Sequence, residues 1–376
     1  MEIAIIGGGI GGLTTAAALH KIGMKAHVYE QASSFKPLGA GIGIGSNAMV
    51  ALQKIGVADN VIKAGMPLYE QRFLNETFDV MNTIDFSLLK EKFGEETIAI
   101  QRADLHTALF QAIDAAYIHF GKQVTDFFQQ EQGVTVIFNV EEEKFFDYVI
   151  AADGIHSVFR QKLKSNSSPR YAGYTCWRGT TKNNGDVPIH ISSEAWSKRG
   201  RFGWAPLANG DVYWFACVNT PQNDDYYASM NKTGVARLFS FFPDPVERLI
   251  AEAEDASFLH HDIYDIRSLD TFVYERILLL GDAAHATTPN MGQGAGQAIE
   301  DAYELMVALE AEDTMQASFA QFDHRRVKKT KKVIQLSRQI GSAAQWDRPS
   351  LIAFRDTVFP YIPKSLLFWR LTFLFK

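Results

Sequence analysis

An α/β fold is predicted for this 376-residue chain, with a β-sheet domain inserted into it and helices at its C-terminal end. Three observations predict it. The chain opens on a short apolar run, a glycine turn and an alanine-rich stretch; its middle turns to aromatic period-two patterning; its last third returns to strand followed by long helical segments. At 47% hydrophobic and 21% charged the chain can bury a large core, which excludes disordered and small disulfide-scaffold classes. A formal charge of −6 argues against a dedicated nucleic-acid binder.

The elements follow in order. Ile3–Ile6 has the continuous apolar character of a strand buried on both faces. After Gly7–Gly12 comes a helix over residues 13–22, stopped by Gly23, and a second strand over 24–30. This is a Rossmann-like βαβ unit. A glycine-rich loop, 37–45, leads to a helix over 46–55 with Ser46 as N-cap and Gly56 as stop. Residues 133–139 and 146–151 read as strands, and 201–206 with Asp211–Asn219 as a hairpin turning at Asn209-Gly210. A strand at 276–280 precedes helices over 293–309 and about 315–340. The acidic run 141–143 and the basic run 325–332 are read as solvated faces.

The only two cysteines, Cys176 and Cys217, lie far apart, so neither a C-x-x-C pair nor a zinc cluster is available. His260-His261 has no partner at ligand spacing, and no metal is expected. Residues 1–9 lack a signal peptide's basic start, and no apolar run reaches about 18 residues. A cytoplasmic protein without a transmembrane segment is expected.

Three motifs carry chemistry. In Gly7-x-Gly9-x-x-Gly12, with Glu30 eighteen residues on, the glycines permit a tight turn, close phosphate approach and helix–sheet contact. The acid ending the second strand would accept from a ribose hydroxyl. In the second motif, Asp153-Gly154 turns the chain after a strand, and Ser157 and Arg160 stand one helical turn apart to brace it. The third and most specific is Gly281-Asp282-Ala283-Ala284-His285, then Pro289-x-x-Gly292-Gln293-Gly294-Ala295-Gly296 and Glu300-Asp301. It puts an acid at a strand's C-terminal end and free N–H groups at a helix start. His285 reads as a packing or hydrogen-bonding residue rather than a base. Gly39-x-Gly41-x-Gly43 reads as close backbone approach rather than a phosphate cradle.

From Ile3 to about Ala302 these motifs resemble the single-component FAD-dependent aromatic hydroxylases, the p-hydroxybenzoate hydroxylase-like monooxygenases. The resemblance implies FAD and NAD(P)H as cofactors, with one oxygen atom of O2 inserted into an electron-rich aromatic or conjugated small molecule. It implies that Gly7, Gly9, Gly11, Gly12, Glu30 and Gln31 hold the ADP half of FAD, with Val124 against adenine. Arg102 and Gly43 would contact the flavin, and Asp153-Gly154 would handle the pyrophosphates of both FAD and NAD(P)H. Asp282 would take the ribityl chain, while Pro289, Gly292, Gln293, Gly294, Ala295 and Gly296 line the isoalloxazine. Many relatives carry asparagine where this chain has Gly296. A discontinuous FAD-binding domain is implied over 1–71, 98–170 and 268–345, with a substrate domain over 72–97 and 171–267 and a helical segment over 346–376.

On the substrate side, Arg201, Gly203 and Ala205 share one face of their strand, and Tyr213, Phe215 and Cys217 one face of theirs. Arg201 and Tyr213 are the candidate substrate-positioning residues of an apolar pocket. The pattern Tyr171-Ala172-Gly173-Tyr174…Trp177 is similar to the urate hydroxylase and zeaxanthin epoxidase-like branches. Arg178 stands where the urate branch has an asparagine, which makes urate the minority reading. A reductase of isoprenoid double bonds is the alternative activity. The apolar stretch 365–375 is expected to dock on the body of the chain. A dimer contact is second, and an interfacial anchor aided by Lys364, Arg370 and Lys376 third.

Overall fold

Ile3–Ile6 lies inside a six-stranded sheet of a computed structural model that describes residues 1–36 and 39–375. Pro37 and Leu38, part of the expected glycine-rich loop, and Lys376 lie outside the described residues. The sheet runs Val273–Tyr274, Ile277–Leu279, Tyr148–Ala151, Ile3–Ile6, Ala26–Tyr29, Ile118–His119, parallel except for the first pair. The helices Ile10–Lys21 and Gly294–Ala311 pack together beside it, and their closeness explains one glycine. A Cβ on Gly11 would stand 3.2 Å from Leu280 and 3.3 Å from Ala298.

The predicted strand at 146–151 divides. Phe146 ends Glu142–Phe146, which pairs antiparallel with Gly133–Phe138, whereas Tyr148–Ala151 pairs parallel with the first strand. The chain changes sheets at Asp147, whose carboxylate accepts from the Glu2 amide at 2.6 Å. Ser46 is the first helical residue of Ser46–Ile55 rather than its cap; Gly45 takes the cap position, and the Ser46 hydroxyl turns inward to Thr97. Gly56 ends that helix in the left-handed conformation, as expected.

A second, seven-stranded sheet runs Leu259–Asp265, Arg170–Lys182, Asp211–Asn219, Gly200–Pro206, Ile191–Ser197, Glu70–Leu74, Val80–Asp85. Its two faces differ. Trp177, Phe202, Trp204 and Trp214 pack against Lys232–Phe239 and Val246–Ala251, forming a separate core. The other face carries Arg178, Arg201, Tyr213 and Phe215. Register places Arg201 opposite Cys217, Gly203 opposite Phe215 and Ala205 opposite Tyr213. The two sets of hairpin residues therefore share a single sheet face, because directly paired side chains project to the same side. The short strand Gly41–Ile44 packs against this face: a Cβ on Gly41 would fall 2.4 Å from that of Tyr213.

The basic run 325–332 is only partly a solvated face. Arg326 is buried, and Lys329 is mostly so. Both are drawn inward by carboxylates on the neighbouring helix Gly294–Ala311. The acidic run 141–143 is exposed, as expected.

Candidate active site

The first glycine turn is built backbone against backbone. Gly7 adopts φ +103°, and a Cβ there would meet the Ala152 carbonyl at 2.5 Å; one on Gly12 would meet the Gly7 carbonyl at 1.9 Å. Gly9 is different: it is exposed at the N-terminus of Ile10–Lys21, and no heavy atom stands within 4 Å of its missing Cβ. That opening, at a helix N-terminus, admits a pyrophosphate. Glu30 accepts from the Gly8 amide at 2.6 Å and the Ala32 amide at 2.8 Å, so it closes the loop while remaining half-exposed. Gln31 beside it is exposed. The segment leading to Val124 runs alongside, with the Lys122 amide on the Glu30 carbonyl and the Gly121 amide on that of Ala32. Val124 itself is buried at the start of Val124–Gln130.

Asp153-Gly154 makes the second turn, Gly154 at φ +79°. One Asp153 oxygen accepts from the Val158 amide at 2.9 Å; the other is buried with no partner among the described residues. Burial pushes its pKa up. Ser157 and Arg160 do brace this region. The Ser157 hydroxyl accepts from the Arg160 amide at 3.0 Å, and the Arg160 guanidinium donates to the carbonyls of Ala283 and Ser167 at 3.1 Å. The second motif thereby holds the third in place.

Asp282 follows Gly281, which adopts φ +61°. It sits deep among protein atoms yet keeps an exposed carboxylate, as a group on the floor of a cleft does. Burial raises its pKa against the opposing charges of His285, Arg102 and Arg160. The exposed Arg102 side chain packs beside Gly39, and its charge reaches both Asp282 and Tyr213. Gly292 turns at φ +62° and, with Pro289, is exposed; Gly294 opens the following helix. No heavy atom stands within 4 Å of where a Cβ on Gly43 or Gly292 would lie, so both present bare backbone to open space.

Below this loop lies a network that sequence reasoning only touched. Asp301 accepts from the Gly281 amide at 2.9 Å, from His285 Nε2 at 2.6 Å and from Arg326 Nε at 2.6 Å. Arg326 also pairs with Glu300 at 2.7 Å, and Lys329 with the same carboxylate at 2.8 Å. Asn47 donates to Gln293 at 3.0 Å and also to Glu300. Its amide reaches within 3.9 Å of where a Gly296 Cβ would be, so an asparagine enters beside Gly296 from another helix. Asn47 and Arg326 were missed: an isolated Asn has no signal, and Arg326 hides in a basic run.

Of the two substrate-side candidates, Tyr213 is half-buried on the face next to Gly41. Arg201 is only 2% exposed; its guanidinium donates to Glu194 at 2.9 Å and to Asn290 at 2.5 Å. Asn290 also accepts from the Tyr174 hydroxyl at 3.1 Å. Arg201 thus ties the sheet to the Pro289–Met291 turn. His260 bonds Thr175, and among the described residues no cluster of three His, Cys, Asp or Glu is placed to hold a metal ion.

The cleft fits FAD on its own evidence: an open phosphate cradle at Gly9, an orphaned Asp153 oxygen, and an exposed acid at Asp282 under bare glycine backbone. A family model for the FAD binding domain matches residues 1–337. The chain is 34% identical over 347 residues to an aurachin C monooxygenase/isomerase of Stigmatella aurantiaca, covering 92% of this chain and 90% of that protein. It is 27% identical to the 2-heptyl-3-hydroxy-4(1H)-quinolone synthase of Pseudomonas aeruginosa, over 97% and 95%. The crystal structure of Klebsiella pneumoniae HpxO with FAD and uric acid superposes with a TM-score of 0.90 at 27% identity, over 98% and 94%. The chain belongs to the FAD-binding family of flavoprotein monooxygenases and is an FAD-dependent monooxygenase, an oxidoreductase.

Proposed function

We propose that the substrate is a planar, electron-rich heteroaromatic ring held between the Tyr213–Phe215 face and the Gly292–Gly296 loop, and that NAD(P)H is the reductant. The observation that carries this reading is the shared sheet face: Arg178 pairs with Phe215, and Thr180 with Tyr213, on the side where Tyr213 meets Gly41. A flat ring suits a wall of aromatic surface facing bare glycine backbone. Burial pushes the Tyr213 hydroxyl up to about 12 against the opposing charge of Arg178. The phenol therefore stays protonated at neutral pH and donates a hydrogen bond to a ring oxygen. Arg178 supplies donors only, which favours a ring with acceptors on that edge.

FAD, held by the Gly9 cradle, Asp153, Asp282 and the Gly292–Gly296 loop, would accept hydride and activate O2 for transfer of one oxygen atom. The protein's own part is to orient the ring and keep water from it. NAD(P)H would be taken up at a transient surface site, since the sequence has no second complete dinucleotide fingerprint.

The test is a screen of 4-quinolones, aminohydroxybenzoates and urate, following NADH and NADPH consumption and product mass under labelled O2. Stimulated consumption with one labelled oxygen in the product is expected for at least one ring class. Saturation of a substrate double bond without label would overturn the reading.

A further inference from the structure

The two cysteines that the sequence separates by forty-one positions meet in the fold. Cys176 on Arg170–Lys182 lies directly opposite Cys217 on Asp211–Asn219. The ladder's parity fixes their spacing. The Thr220 amide donates to the Gly173 carbonyl at 3.3 Å, and the Asn183 amide to the Gly210 carbonyl at 3.1 Å. Odd-numbered positions of the first strand therefore form the hydrogen-bonded pairs. The pair 176/217 falls at a non-hydrogen-bonded site, where Cα atoms stand about 4.5 Å apart and side chains are closest. That separation is within the roughly 4.4–6.8 Å a disulfide spans. Both thiols are free and buried in a small cluster with Tyr174, Ile263 and Phe215.

We propose that Cys176 and Cys217 are an oxidisable dithiol on the substrate-side face, converted by hydrogen peroxide to a cross-strand disulfide. The surroundings supply the reactivity. The Cys176 sulfur has Cys217 across the ladder and the guanidinium groups of Arg178 and Arg201 near it, which together draw its pKa below the usual value against the cost of burial. An electropositive setting of this kind is what makes a thiol nucleophilic. Cys176 sulfur attacks one peroxide oxygen, the O–O bond breaks, and hydroxide leaves to be protonated to water, giving a sulfenic acid. Cys217 sulfur then attacks that sulfur, its thiol proton passes to the departing hydroxyl, and a second water leaves as the S–S bond forms. Two thiols and one peroxide become one disulfide and two waters. The peroxide has a source at hand, because reduced flavin that meets O2 without a productively placed substrate yields it.

The test uses the full-length, FAD-loaded protein, reduced, desalted and titrated with hydrogen peroxide. Thiols are counted after denaturation, and peptides are mapped by mass without reduction. The expected result is loss of both thiols together, a mass lower by two hydrogens, a linked Cys176–Cys217 peptide, and full recovery with dithiothreitol. Cys217→Ser and Cys176→Ser should each leave a dimedone-trappable sulfenic acid at the remaining cysteine and no linked peptide. Persistence of both thiols at peroxide levels that oxidise exposed methionine, or oxidation of each cysteine separately without linkage, would overturn the proposal.

Discussion

Asp301 illustrates how one carboxylate can hold a cofactor loop in shape. Burial alone would raise its pKa, but His285 and Arg326 beside it, with the Gly281 amide, hold it down to about 2. A depressed carboxyl contributes stability above its unfolded pKa near 4 and loses it as pH falls through the folded value. That contribution is on the order of 2 kcal/mol. Urea unfolding of wild type should therefore weaken steadily between about pH 4 and 2, and Asp301→Asn should flatten that window while costing stability at pH 7. A second residue-scale expectation separates the two substrate-side candidates. Arg201→Ala strands the Glu194 carboxylate and Asn290 beneath the sheet, and should cost about 3–5 kcal/mol of unfolding free energy. Tyr213→Phe removes only a hydroxyl and should leave stability and flavin content near wild type while hydrogen peroxide release per NAD(P)H rises. Full coupling in Tyr213→Phe with a true substrate would place the tyrosine in packing alone.

At the scale of elements, two glycines of one motif should fail differently. Gly12→Ala drives a methyl into the Gly7 carbonyl, and the first helix must shift off its sheet. Little folded flavoprotein should be recovered. Gly9→Ala meets no protein atom, so the fold should persist while FAD affinity falls by roughly tenfold or more, on loss of hydrogen bonding worth about 1–3 kcal/mol. Equal FAD affinity of Gly9→Ala and wild type in a fluorescence titration would remove the phosphate from that position. These positions were legible because a phosphate cradle imposes residue type and spacing at short range, and the strand, turn and helix around them are local. Arg326 was not. Nothing within its run of cations marks the one that turns inward; that depends on Glu300 and Asp301 arriving from another helix. The Cys176–Cys217 pairing was hidden for the same reason, since register between distant strands is a tertiary fact. The break at Asp147 escaped too, because apolar residues, Phe145-Phe146 and Tyr148–Ala151, stand directly on both sides of it and only their strand partners differ.

At the scale of the whole molecule, the C-terminal segment lies against Val80–Asp85, the edge strand of the seven-stranded sheet. Among the described residues no helix is long and apolar enough to cross a membrane. The tail divides into two kinds of apolar surface. Leu374 is buried, Phe375 stacks on Phe93, and Lys332 lies 4.1 Å from the Phe373 ring, so this part docks on the body as expected. Earlier in the segment the Asn82 side chain donates to the carbonyls of Phe359 and Ile362, fastening it to the second sheet. Leu366 and Trp369 remain exposed, the latter at 68%. Deleting residues 365–376 removes the docked contacts but no cofactor residue, and burial of one leucine and parts of three aromatics is worth about 2–5 kcal/mol. The truncated protein should unfold at lower urea, expose apolar surface to a dye, and still bind one FAD with wild-type affinity. An unchanged unfolding midpoint combined with lost binding to anionic liposomes would reverse that ordering, making the exposed Trp369 face, rather than the docked Leu374, the reason the segment is apolar.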